Sequence, residues 1–146
     1  MIGSNSKIFA TAVLNLGAAL PAQQLSYAIK KLSLEALEGL VDMTPVDTGR
    51  AKGNWNVTTA GRSMAKATDS RMDKTGGNSI ATGTEKILRA TAKNRVPKSV
   101  YITNNVDYIE DLENGNSKQH NSQGMLKVTV NRLTLKHSIS EVGEVD

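Results

Sequence analysis

The stretch from Gln24 to Met43 constrains the fold more than any other. Leu25, Ile29, Leu32, Ala36, Leu40 and Met43 recur at steps of three and four. That spacing gathers them on one face of an amphipathic helix. Lys30, Lys31, Glu35, Glu38 and Asp42 fill the remaining positions. Thr44-Pro45 ends the helix, because a proline disfavours the α conformation in the residue before it. A helix of this length needs a second layer to cover its apolar stripe, and the rest of the chain must supply it.

That layer is predicted to include a sheet. Trp55, Val57 and Thr59 alternate with polar residues in Asn54-Trp-Asn-Val-Thr-Thr59, the pattern of a strand with one buried face. Ser99 to Thr103 reads as another strand through Val100, Tyr101 and Ile102. Thr84 to Asn94 reads as a second helix, with Thr84 as its cap and Ile87, Leu88, Thr91 and Ala92 as its stripe. Asp107 to Asn114 reads as a helical turn with Tyr108, Ile109 and Leu112 inward, and residues after Ser122 as a last helix carrying Leu126, Val128, Val130 and Leu133. Gly115 to Gln123 is a polar loop. The expected fold is α+β, with the long N-terminal helix and the further helices packed on one face of a small, mostly antiparallel sheet.

Three segments frame this domain, expected over residues 23–136. Residues 1–22 read as an N-terminal arm. Their apolar run, residues 8–20, is too short to span a membrane and is broken by Asn15 and Gly17. Residues 60–80 carry much Gly, Ser, Thr and Lys/Arg with little periodicity, and read as an extended basic loop. Residues 137–146 read as an irregular tail.

Composition makes the core thin. Aromatics are 3% of the chain, and aromatic side chains bury the most area each. Burial against neighbouring copies would add stability, so oligomerisation is expected. With no cysteine, disulfides, thiolate metal sites and cysteine nucleophiles are excluded. Charge is unevenly spread. Residues 49–98 hold eleven Lys/Arg against three Asp/Glu, whereas residues 99–146 hold four against seven. Such a basic middle and acidic end suit attraction between neighbouring copies or contact with DNA phosphates.

No catalytic constellation emerges. Asp47-Thr48-Gly49 matches the aspartic-protease triplet, but it occurs once, after a helix end and Pro45 and before Arg50. It reads as a tight turn, with Gly49 at positive φ and Asp47 or Thr48 bonding local amides. Asp107, Glu110, Asp111 and Glu113 lack the glycine-punctuated spacing of a calcium loop. His120 and His137 have no second histidine at metal spacing. Thr75-Gly-Gly-Asn78 lacks the Lys-Ser/Thr ending of a phosphate loop. Neither a cofactor nor a metal is expected. Trp55, the sole tryptophan, reads as a core anchor of its strand.

Three blocks together carry a resemblance. The first is Thr44-Pro-Val-Asp-Thr-Gly-Arg50 followed by Gly53-Asn-Trp55. The second is Ile102-Thr-Asn104, Asp107-Tyr108-Ile109 and Leu112-Glu113-Asn-Gly115. The third is Gln123-Gly-Met125-Leu126. In order and spacing they resemble the tail-completion, or head–tail joining, family of lambda-like tailed phages, over about residues 24–133. The resemblance implies a structural virion protein with no enzymatic role. Such a protein forms a ring, hexameric by preference, at the neck or the head-proximal end of the tail. It would complete the tail and join it to the head around the DNA channel. Its implied partners are further copies of itself, other neck, connector or tail-tube proteins and, non-specifically, the DNA in the channel. No membrane is involved. Its implied location is the virion, and the host cytoplasm during assembly. Asp47, Thr48, Gly49, Arg50, Trp55, Tyr108, Glu113, Gly115 and Met125 become subunit-contact or fold-motif candidates. Arg62, Lys66, Arg71 and Lys74 become candidates for charge contacts with the lumen or a neighbouring ring. The alternative function is a small basic DNA-binding module acting in genome packaging or morphogenesis.

Overall fold

The computed structural model describes residues 8–13, 20–114, 124–137 and 141–144. Helix α1 spans Ala22–Met43, followed by the short α2 (Arg50–Gly53) and strand β2 (Trp55–Thr58). Helix α3 covers Gly77–Ala90, β3 Tyr101–Asn104, α4 Ile109–Glu113 and α5 Met125–His137. Two further strands lie near the ends of the chain, β1 (Ile8–Val13) and β4 (Glu141–Glu144). The four strands form one antiparallel sheet in the order β2-β3-β1-β4. The fold is α+β, as expected.

The long helix forms for the reason its spacing gives. Leu32, Ala36, Leu37, Leu40 and Val41 are buried, and each large aliphatic side chain so buried contributes about 2 kcal/mol. The chain leaves the helix at Thr44, whose backbone is extended ahead of Pro45. The α1 stripe meets α3 on one side and α5 on the other. Beneath lie Trp55 and Val57 from β2 and Ile102 from β3, all essentially inaccessible to solvent. Trp55 is thus the core anchor its alternation predicts.

Several expectations need correction. Residues 1–22 are not simply an arm, because Ile8–Val13 is an inner strand between β3 and β4. Its Ile, Phe, Thr and Val suit a pleated surface, and its partners lie about a hundred residues away, beyond any local signal. The tail after residue 136 likewise contains a strand, β4, held by its register with β1 (Thr11 opposite Gly143). Residues 77–80 belong to a helix and not to the basic loop, since α3 begins at Gly77, seven residues before Thr84. Close packing explains the unusual helix composition. A Cβ on Gly83 would come within 2.5 Å of Leu37 Cδ2 and 2.9 Å of Val57 Cγ2. The helix also ends early, at Ala90, and a 3-10 turn covers Ala92–Asn94. Leu88 points outward at 48% exposure and Tyr108 is 38% exposed, whereas Ile87, Ile109 and Leu112 are buried. The polar loop expected over Gly115 to Gln123, His120 with it, lies outside the described residues.

Candidate functional site

The described residues of the three sequence blocks gather at one joint, where α1 passes into the sheet. Thr44 ends α1 with its hydroxyl bonded twice. It donates to the Leu40 carbonyl (2.6 Å) and accepts from the Trp55 indole Nε1 (2.9 Å). Asp47-Thr48-Gly49 is the turn its composition predicts. Thr48 Oγ1 accepts from the Arg50 amide at 3.2 Å, and Gly49 has φ +86°. The glycine is required twice over, because a Cβ there would lie 2.6 Å from the Asp73 and Lys74 backbone. The Gly49 carbonyl accepts from both Gly53 N (2.9 Å) and Asp73 N (3.0 Å). Asp47 is exposed on this turn. Arg50 pairs with Asp69 (3.0 Å) and reaches the Ala67 carbonyl.

The second block closes on the first. Asn104 of β3 donates to the Ala51 carbonyl at 2.8 Å and accepts from Val106 N at 3.2 Å. Tyr108 and Leu112 face Pro45 and the Asp47–Ala51 turn across a cleft of about 30 Å³. Glu113 then ties in the third block. Its carboxylate accepts from the amides of Leu126 (2.8 Å) and Lys127 (3.2 Å), which caps the start of α5 from a distance. Met125 beside it is fully buried. Gly115, the remaining candidate of that set, lies outside the described residues.

The basic loop is fastened to this joint rather than extended. Asn54 Nδ2 donates to the carbonyls of Arg50 (2.7 Å) and Thr68 (3.0 Å), and its Oδ1 accepts from Thr68 N (3.0 Å). Asn105 holds the loop's first half through the carbonyls of Ser63 and Ala65. Asp73 gathers the Thr75 hydroxyl and amide and the Asn78 amide. Those bonds, the Thr75 hydroxyl foremost, hold its carboxyl below the ordinary value of 3.8.

Arg71 is a correction. Its guanidinium is not an adjustable surface charge. It donates to the carbonyls of Gly53 (2.9 Å) and Trp55 (2.9 Å), to Asn56 Oδ1 (2.7 Å) and to Thr82 Oγ1 (3.3 Å). Partial burial lowers its pKa from the usual guanidinium range. A free sheet edge offers carbonyls in a row, and Arg71 satisfies the first of them on β2. Ser79 completes the seal, accepting from Trp55 N (3.0 Å) and donating to the Lys52 carbonyl (2.8 Å). Lys66 and Lys74 are exposed, as the charge-contact reading requires.

Arg62 sits elsewhere, in a groove of about 560 Å³ between β2 and the end of α3. Lys86, Arg89 and Arg95 line the same groove. Sequence reasoning missed these three, although Lys86 and Arg89 stand three apart on a helix and so share a face. It also missed Asp73, whose carboxylate bonds Thr75 and Asn78 nearby, and Ser79, whose partners are remote in sequence, and it gave Asn54 and Asn104 of its own blocks no role. A second groove, of about 740 Å³, runs between α1 and α5. It carries Glu38 and Asp42 against Lys52 and Arg132, with Leu135 on its rim at 87% exposure.

Among the described residues no group of three or more His, Cys, Asp or Glu is placed to hold a metal. None of their helices is long and apolar enough to cross a membrane. No protein-family model, curated protein or solved structure matches this chain.

Proposed function

We propose that this chain is a structural ring subunit of a tailed-phage virion, seated at the neck or the head-proximal end of the tail. There it completes the tail and joins it to the head around the DNA channel, and works by shape and self-association without a reactive centre. One observation carries the reading. The described residues behind the family resemblance, spread from Thr44 to Met125, converge on a single joint, in which Thr44, Gly49, Trp55, Asn104, Glu113 and Met125 each have a fold-holding bond or a packing role. They fix how the long helix meets the sheet and how α5 is seated. A protein that works by presenting a rigid outline to its neighbours needs such a joint.

Mass measurement of the purified protein, alone and with its tail or connector partners, tests this reading together with electron microscopy of the assembled neck. A closed homo-oligomeric annulus is expected, six copies by preference. A chain that stays monomeric beside those partners, or that turns over a substrate as a free globule, overturns it.

A second reading, a small basic DNA-binding module in genome packaging or morphogenesis, draws on the cluster of Arg62, Lys86, Arg89 and Arg95 around one groove. It predicts retention on DNA that falls steeply with salt. No retention at low salt dismisses it.

A further inference from the structure

We propose that the carboxylate-flanked Tyr108 turn of one copy seats in the cationic groove of the next, so that copies join through opposite ends of the molecule. This rests on the ring reading and names its contact.

The β2–β3 pair gives the molecule two ends. Its strands are antiparallel, with Thr58 opposite Tyr101 at one end and Trp55 opposite Asn104 at the other. The groove opens at the first end. Its lining runs on from Thr58 to Arg62 after β2, takes in Lys86 and Arg89 at the end of α3, and includes Arg95 on the way to β3. Lys86, Arg89 and Arg95 are exposed, as are Lys93 and Lys98 of the same connection. The one acidic residue from 84 to 98 is Glu85, which pairs with Arg89. Lys86, Lys93, Arg95 and Lys98 have no ion-pair partner among the described residues.

The second end carries the opposite charge. Residues 104–114 hold four carboxylates and no Lys or Arg. Asp107, Glu110 and Asp111 directly follow β3, and Asp47 lies on the turn before β2, across the small cleft from Tyr108. All four of these side chains belong to exposed residues, and none has an ion-pair partner among the described residues. The Tyr108 ring stands partly exposed between them.

The two ends fit each other in shape as well as in sign. A groove of about 560 Å³ has room for a tyrosine side chain, and Ala60 and Ala90 give it apolar surface between the cations. Leu88 and Val96, next in sequence to Arg89 and Arg95, are exposed too. A tyrosine anchor with arginines around it is typical of protein contacts. A phosphate backbone would leave that apolar surface unused. The surrounding charges speed encounter and fix the orientation. Because donor and acceptor are different surfaces of one chain, every added copy repeats the contact. Such a heterologous interface closes into a ring when its rotation allows.

The test uses the full chain and reads assembly mass at low and high salt. Lys86→Glu with Arg95→Glu should weaken association about tenfold or more, and so should Asp107→Lys with Asp111→Lys. The two sets combined should restore it. Tyr108→Ala should also weaken it about tenfold or more. Unfolding curves check that each variant folds. The chain has no native cysteine, so Lys86→Cys with Asp111→Cys should give a ladder of disulfide-linked copies under oxidation. Folded single-set or Tyr108→Ala variants that assemble like the parent, or a combined variant that stays dissociated, overturn the proposal and leave the ring reading standing. A parent chain that never assembles, even with partners, overturns both. If the cationic set instead abolishes retention on DNA while assembly is unchanged, the groove belongs to a phosphate backbone and the proposal fails.

Discussion

The indole nitrogen of Trp55 donates to the hydroxyl of Thr44 across 2.9 Å, with both groups buried. The first strand of the motif is thereby bolted to the end of the long helix. Thr44→Val leaves that N–H buried without an acceptor and should cost about 2 kcal/mol. Trp55→Phe removes the donor and part of the packing, for about 2–3 kcal/mol. The double variant should cost about 1 kcal/mol less than the two combined, since no orphaned N–H remains. Denaturant unfolding of all four proteins measures this.

Arg71 and the exposed lysines should separate sharply. Arg71→Lys keeps the charge but cannot hold two carbonyls and Asn56 in one planar fork, and should lose about 2–3 kcal/mol. Lys66→Ala and Lys74→Ala should stay within about 0.5 kcal/mol of the parent. Equal small effects at all three would return Arg71 to the surface.

Glu113 caps α5 from twelve residues before Met125. Glu113→Ala should lower stability by about 1 kcal/mol. Hydrogen exchange should show faster opening at the first turn of α5 and little change in α1. Unchanged protection of Leu126 and Lys127 would contradict the cap.

Asp73 gives a pH dependence of definite sign. Its folded pKa is depressed, so the unfolded chain takes up a proton first as pH falls. Its contribution is complete above the unfolded value. It fades below an ordinary carboxyl pKa of 3.8 as the solution is acidified through the folded value. At neutral pH Asp73→Asn should unfold at lower denaturant than the parent, and the difference should close in acid. A gap that persists however far the solution is acidified would show that the carboxylate charge is not what the loop uses.

The legible parts of the fold were those with a local signal. The α1 face repeats for five turns, and Trp55 and Val57 alternate cleanly, so both elements could be placed. The strands nearest the two ends of the chain could not. Ile8–Val13 mixes its apolar residues with Ala, and Glu141–Glu144 has Val142 as its one large apolar side chain. Only pairing with each other and with β3 makes them strands. The first turns of α3 were hidden because Gly77, Ser79 and Gly83 are poor helix formers. Ser79 and Gly83 stand where Trp55, Leu37 and Val57 leave no room for more. At the site, the Thr44–Trp55 block was visible as a turn, but the arginine that seals the strand edge looked like one more surface cation. Its role comes from carbonyls fifteen or more positions away.

The interior position of β1 reverses the usual timetable of synthesis. Residues 8–13 are synthesised ahead of both their neighbours, β3, made about ninety residues later, and β4, made later still. No nascent chain can complete this sheet before β4 has emerged, and pairing so distant in sequence slows folding. A product truncated ahead of β4 therefore leaves one side of β1 without its partner strand.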